Sequence, residues 1–445
     1  MSSDKQGFKK TEIGLIPENW EIKKVREIGI VKTGKTPPTN KKEYYGNDFL
    51  FIKIPDMGTS VYIKTSEIML SKKGSIYMER LMIPKDSVIV SCIATIGKVG
   101  ITIKNSFTNQ QINSIIPNKN IIESKYLFYF FKNNINYLES RGGGGSVYTN
   151  ISKSKFENLC IVSPSLPEQK AIAKVLSDLD EKIELNNEMN KTLEEIGQAL
   201  FKRWFIDFEF PDENGNPYRS SGGEMVFSEE LGKEIPKGWE VGKLGEYISL
   251  QKGLSYKGNG LCNREEGLPM INLGTMAPHN GFIYGGLKYY KGEYKERNLV
   301  FPGEIVIANT DITQKREVLG SPAIVPYDLD NHKILFTHHI FAVRNKSILP
   351  NMFIYYILQT SKYKERSSTY ATGTTVLALP QDAVLDLFIC IPSPTILDLF
   401  VKHVLSNSSK INSNIEESRH LSELRDSLLP KLMSGEIRVP LEASQ

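Results

Sequence analysis

The sequence predicts an α+β protein built as two similar globular modules. Each leads into one long helix, and the two helices pair as an antiparallel coiled coil about a pseudo-twofold axis. Two observations predict this. First, the chain repeats itself: shifted by 228 positions, Ile183 falls on Ile411, Asn186 on Asn414, Leu193 on Leu421, Ile196 on Leu424 and Leu200 on Leu428. Second, the first copy spaces apolar residues alternately by four and three, the period of a coiled-coil seam.

In that copy Ile172, Leu176, Leu179, Ile183, Leu193 and Leu200 lie on the seam, with Asn186, Asn190 and Gly197 at its other positions. In the second copy the matching positions are Ile411, Asn414, Leu421 and Leu428. A helix over Glu168–Phe205 would be about 57 Å long at 1.5 Å per residue. Neither helix can bury its seam alone, so the simplest solution is that they pair. Asparagine at a seam position lowers stability but fixes register and partner. The matched Asn186 and Asn414 therefore point to one specific pair. Antiparallel pairing would put the modules at opposite ends.

Taken in order, the chain opens with IPENWEIKKV at Ile16–Val25, which returns as IPKGWEVGKL at Ile235–Leu244. Gly34 falls on Gly253 at the same offset of 219. Short β-branched runs bounded by Gly, Pro or Asp predict strands at 49–54, 86–94 and 98–103. SKYLFYFFKN, Ser124–Asn133, predicts an amphipathic helix. The four glycines at 142–145 suit close backbone approach or mobility. Ser165 and Glu168 have capping-box spacing and start the first long helix. The second starts near Thr395, and Gly435 is placed to end it.

Residues 206–234 are acidic and rich in Gly, Pro and Ser, and read as a connector becoming flexible. The second module repeats the plan, with strands at 270–274, 304–309 and 339–343 and a helix over Met352–Gln359. The expected divisions are 1–165, 166–210, 211–234, 235–393 and 394–445.

Composition narrows the function classes. A length of 445 residues suits two to three domains. Cys92, Cys160, Cys262 and Cys390 are scattered without metal-ligand spacing, pointing to a reducing cytoplasm. The N-terminus has no apolar h-region and no run reaches 18 apolar residues, so neither a signal peptide nor a membrane span is expected. The net charge of +4 is unevenly distributed. Residues 1–165 hold 24 Lys and Arg against 14 Asp and Glu, a net +10, whereas 168–205 hold 6 against 8. Basic globules suit a polyanion, and an acidic rod suits a protein partner.

Other signals carry less. Gly29–Thr36 matches the phosphate-cradling pattern G-x-x-x-x-G-K-[ST], which requires a helix opening at Lys35. Pro37 and Pro38 follow at once, and the repeat twin Ile248–Leu254 lacks the motif. His338 and His339 fall on Gln110 and Gln111 at the 228 offset. These pairs read either as a structural hydrogen-bonding device, the preferred reading, or as readout residues. Adjacent histidines on a strand would point to opposite faces, which with His332 argues against a shared metal. Trp20 and Trp239 read as core anchors.

The ordered set of motifs resembles the DNA-specificity subunit of a type I restriction–modification system. It consists of IPENW and IPKGW at the module entrances, ATIGKVGI at 94–101, SPSLPEQKAIAKVLSDLDEKI at the module exit, and ALFKRWFIDFEFP at 199–211. The resemblance spans essentially the whole chain, with one departure: PTILDLF at the second helix start lacks Pro-Glu-Gln. It implies that each module is a target recognition domain reading half of a bipartite site in double-stranded DNA. The helices would set the spacer and dock two methyltransferase subunits, and motor–nuclease subunits would join that core. It also implies no catalysis and no cofactor on this chain, with S-adenosylmethionine, ATP and Mg on the partners, and a cytoplasmic location.

Candidate DNA contacts are the basic and polar residues of the exposed loops. In the first module these are Lys32, Lys35, Thr36, Lys41, Lys42, Lys98 and Arg141. In the second they are Lys252, Lys257, Lys315, Arg316 and Thr374. The sequence leaves two alternatives open: a coiled-coil scaffold without DNA readout, and a nucleotide-binding enzyme using Gly29–Thr36.

Overall fold

The computed structural model of the chain describes residues 7–58, 60–142, 150–278, 280–313, 316–327, 329 and 333–440. They form two compact units, Met1–Asn186 with Glu417–Gln445, and Asn187–Glu416. Each unit joins one module to parts of both long helices.

After a hairpin of Phe8–Thr11 and Gly14–Pro17, the first unit continues with β1 (Glu21–Lys24), a helical turn and β2 (Gly29–Thr33). Then come β3 (Tyr45–Ile52), β4 (Val88–Ser91), β5 (Val99–Thr102), β6 (Ser106–Thr108), β7 (Ile112–Pro117), α1 (Ser124–Asn133) and β8 (Cys160–Ser163). The helix α2 (Leu166–Phe201) follows. Strand β7 sits between β2 and β4, antiparallel to both. Strand β6 runs parallel to β3, and β8 is antiparallel to β1. Every residue of β4, VIVS, is buried, the pattern of a strand covered on both faces. α1 presses Tyr126, Leu127, Tyr129, Phe130 and Phe131 into a core that also takes Trp20, Ile172, Leu176, Leu429 and Leu432. Both long helices are thus rooted in the core of the module.

The second unit repeats this plan. It holds β9 (Glu240–Lys243), β10 (Ile248–Lys252), β11 (Leu268–Ile271), β12 (Ile305–Ala308), β13 (Ile334–Phe336) and β14 (Ile340–Asn345). Helix α3 (Asn351–Ile357) and β15 (Phe388–Ile391) lead to α4 (Pro394–Met433). Strand β14 lies between β10 and β12, β13 is parallel to β11, and β15 is antiparallel to β9.

Within each unit the long helices run antiparallel. In the first, Asp180 pairs with Arg425 and Lys182 with Glu417 at 3.1 Å. In the second, Asn190 meets Asn414, Leu193 meets Asn407, and Phe201 meets Phe400. The seam asparagines obey the repeat. Asn414 Nδ2 donates to Asn190 Oδ1 at 2.8 Å, and Asn186 Nδ2 donates to Ser418 Oγ at 3.2 Å. Ser418 lies 228 positions after Asn190, so these are one contact made twice. Asn186 and Asn414 are buried, whereas Leu179, Ile183, Leu193, Leu200, Ile411, Leu421 and Leu428 are half-buried. Ile172 and Leu176 are fully buried in the module core.

The structure departs from the expected elements in places. Strand β3 stops at Ile52, because Ile54–Asp56 closes a 3-10 turn in which Asp56 accepts the Lys53 amide at 2.7 Å. Glu168 accepts from Trp20 Nε1 at 3.0 Å and pairs with Arg438 at 2.7 Å, contacts its capping-box spacing did not foretell. The segment after α2 is packed rather than loose. Phe208 and Phe210 are buried against Trp239, at ring distances of 5.7 and 4.9 Å. Met225–Ser228 and Lys233–Pro236 then form a hairpin. The aromatic run FIDFEF supplies apolar area that the Gly, Pro and Ser content concealed. Gly435, at φ +70°, ends α4, and a Cβ there would come within 2.4 Å of Pro17.

Candidate nucleic-acid interface

A tight turn joins β6 to β7 in the first unit (109–112) and β13 to β14 in the second (337–340). The Ile112 amide donates to Asn109 O at 3.2 Å, and the Ile340 amide to Thr337 O at 2.9 Å. The surrounding backbone bonds correspond one to one. Asn109 N donates to Ile52 O and Thr337 N to Ile271 O; Cys92 N donates to Gln111 O and Asn309 N to His339 O. Likewise Lys35 N donates to Thr108 O and Leu254 N to Phe336 O. The repeat is therefore written in the hydrogen bonds that hold this turn, not only in helix periodicity.

Gly34 and Gly253 close the back of each turn. A Cβ on Gly34 would lie 2.2 Å from Thr108 O, and one on Gly253 would lie 2.3 Å from Phe336 O. Rigid backbone atoms cannot yield as a flexible side chain would. Gly34→Ala and Gly253→Ala are each expected to destabilise their unit by about 2 kcal/mol or more, read as a lower denaturation midpoint.

The turn projects different side chains in the two units. In the first, Gln110 is exposed and Gln111 half-exposed. Thr36 Oγ1 donates to Gln110 Oε1 at 2.7 Å. Buried Asn109 accepts the Gln111 backbone N–H at 3.1 Å and donates from Nδ2 to Gln111 Oε1 at 2.9 Å. A backbone amide can only donate, so Asn109 is fixed and Gln111 in turn is oriented. Its NH2 group remains turned away from Asn109. Lys35 stands exposed beside the turn.

In the second unit the same two positions hold His338 and His339. Contrary to the strand-based expectation, their rings do not face apart: the centroids lie 3.8 Å from each other. They sit on a turn, where strand alternation does not apply. Thr310 Oγ1 meets His339 Nδ1 at 2.9 Å, and Asn309 Nδ2 donates to His338 O at 3.0 Å. Burial, then His338, Lys252 and Lys288, hold the His339 pKa below its usual 6.5. An unfolded imidazole takes its proton near pH 6.5, before the folded ring does, so protons favour unfolding. The stability His339 contributes is present above that pH and lost below it. His339→Gln is expected to flatten the acid limb of a melting-temperature profile between about pH 6.5 and 5.

Other sequence candidates have structural employment. Lys32 Nζ donates to Met82 O at 2.8 Å, and Lys98 Nζ to Ile54 O at 3.4 Å. Arg141 pairs with Glu12 and lies over the Tyr137 ring. Arg316 donates to Ser368 O at 2.7 Å. Lys41, Lys42, Lys252, Lys257 and Thr374 are exposed. Lys315, His332 and the glycines after Gly142 lie outside the described residues. Tyr256 and Lys288, 3.0 Å apart, were not singled out from the sequence, since no local motif marks them.

Gly29–Thr33 of the phosphate-loop match is an extended strand, and the next helical turn is Lys42–Tyr44, well after Lys35. Among the described residues, no group of three or more His, Cys, Asp or Glu is placed to hold a metal ion. Among the same residues, no helix is long and apolar enough to cross a membrane.

A family model described as a type I restriction modification DNA specificity domain matches residues 17–195. The MjaIX specificity subunit of Methanocaldococcus jannaschii is 33% identical, covering 97% of this chain and 96% of that protein. The HindI specificity subunit of Haemophilus influenzae is 40% identical over 189 residues, 42% of this chain and 41% of that protein. The crystal structure of an S subunit from M. genitalium shares the fold, with a TM-score of 0.51 at 18% identity and coverage of 93% and 96%. The full-length similarity, with the module-and-helix repeat described above, shows that this chain belongs to the DNA-specificity subunits of type I restriction enzymes.

Proposed function

We propose that each module, 1–165 and 235–393, reads one half of a bipartite target in double-stranded DNA. In this reading the helix pair fixes the spacing of the halves and docks two methyltransferase subunits, with motor–nuclease subunits joining that core in the cytoplasm. The chain itself positions rather than catalyses; S-adenosylmethionine, ATP and Mg belong to the partners. The observation that carries the reading is the turn built twice with the same backbone bonds but different outward side chains, Gln110 and Gln111 against His338 and His339. Two readers of unlike half-sites need a common frame and divergent tips.

The net charge of +10 on residues 1–165 supports a polyanionic ligand. Matched exposed residues on the helices, Ile196 at 51% and Leu424 at 47%, support equivalent docking of two partner subunits. Genome-wide sequencing of methylated positions in cells expressing the chain with its cognate subunits tests the reading. A motif split into two halves by unspecified bases is expected; an uninterrupted motif would refute it. Ile196→Glu and Leu424→Glu are each expected to leave the chain folded and to weaken one methyltransferase contact. Native mass spectrometry would then show a complex with one such subunit in place of two.

A further inference from the structure

The paired turns carry a more specific assignment. Each turn is locked from behind by a glycine with no room for a Cβ, and from the sides by matched backbone bonds. The tip side chains and those that orient them differ between the two turns. At the second tip position, Gln111 is turned by Asn109 so that its NH2 faces outward. His339 has Nδ1 engaged by Thr310, which leaves Nε2 outward. At the first tip position, Gln110 is steadied by Thr36. The His338 ring lies tilted against that of His339, at an interplanar angle of 41°, and its Nδ1 is buried with no hydrogen-bond partner among the described residues.

We propose that Gln110 and Gln111 are the base-reading positions of the first module, and His338 and His339 those of the second. Asn109, Thr36 and Thr310 act as positioning residues. This rests on the half-site reading above and names where in each module the bases are met. The chemistry follows from the free groups. An outward amide NH2 donates to acceptors on the major-groove edge, purine N7, guanine O6 or thymine O4. The outward imidazole Nε2 makes a single contact whose polarity is set by the Thr310 hydroxyl at Nδ1. Exposed Lys35, and Lys252 beside His339, flank the tips where phosphates would hold the register.

The test exchanges the tips between modules. Q110H/Q111H and H338Q/H339Q are expressed with the cognate methyltransferase subunits, and methylated positions are sequenced genome-wide. Each double variant is expected to lose about tenfold or more of the methylation at wild-type sites. Each is also expected to alter bases in one half of the motif only, a different half for each. Wild-type motifs at wild-type frequency in both variants would overturn the assignment while leaving the bipartite reading intact. A variant that changed both halves, or a wild-type motif with no two halves, would instead overturn the bipartite reading. Should a double variant fail to assemble, the single exchanges Q111H and H339Q carry the same readout. Asn109→Ala, which frees Gln111 without removing it, is expected to broaden the first half-site, a change in motif that mere destabilisation would not produce.

Discussion

Replacing Phe205 with alanine is expected to cost the second unit about 4 kcal/mol. Phe205 is 4% exposed and sits in the π-helical turn Lys202–Ile206 that ends α2. Its ring centroid lies 5.0 Å from both Phe353 of α3 and Phe400 of α4, and 6.0 Å from Trp239 at the module entrance. Three segments distant in sequence converge on this side chain. Aromatic pairs at such separations add to the area they bury. Removing the ring leaves a cavity whose walls are themselves anchored elsewhere, so collapse cannot fill it. The denaturant midpoint should fall with little change of slope. Arg203→Ala, one turn face away and exposed, should stay within about 0.5 kcal/mol and serves as the control.

Arg425→Ala is expected to destabilise the first unit by about 3 kcal/mol. Its guanidinium and the Asp180 carboxylate form an ion pair with side-chain exposures of 14% and 10%. Tyr129 donates to the other oxygen of Asp180 at 2.7 Å. Burial opposes the charge on Arg425, yet the hydrogen bonds and attraction of Asp180 and Asp426 raise its pKa above the usual value. Deleting the cation strands a carboxylate between two helices and a tyrosine. Adding Asp180→Asn should recover part of the loss, because the stranded charge is removed as well. A double-mutant cycle on thermal unfolding would read the coupling.

Much of the architecture was legible because it rests on periodicity and repetition. The seam from Leu179 to Leu200 and the 228-residue offset gave the paired helices, and SKYLFYFFKN gave α1 over Ser124–Asn133, the range observed. The packed segment after α2 was missed, since Gly, Pro and Ser dominate its composition while its few aromatics do the packing on Trp239. At the candidate interface the sequence offers two readings of Gln110, Gln111, His338 and His339, a structural hydrogen-bonding device, which it favours, or readout residues. Turn geometry decides which way they face, and that depends on Ile52, Cys92 and Gly34 far along the chain. Charge pointed to Lys32, Lys98, Arg141 and Arg316, but each has a partner within its own unit. A cation's sign is visible in sequence, whereas its intramolecular partner is not.

In the proposed reading, two homologous modules each read an independent half of one target. Exchanging residues 1–165 for the corresponding module of another such subunit, then sequencing methylated positions, measures this directly. The expected result is that one half of the motif is replaced and the other is kept. Replacement of both halves, or of neither in a complex that still methylates DNA, would contradict it.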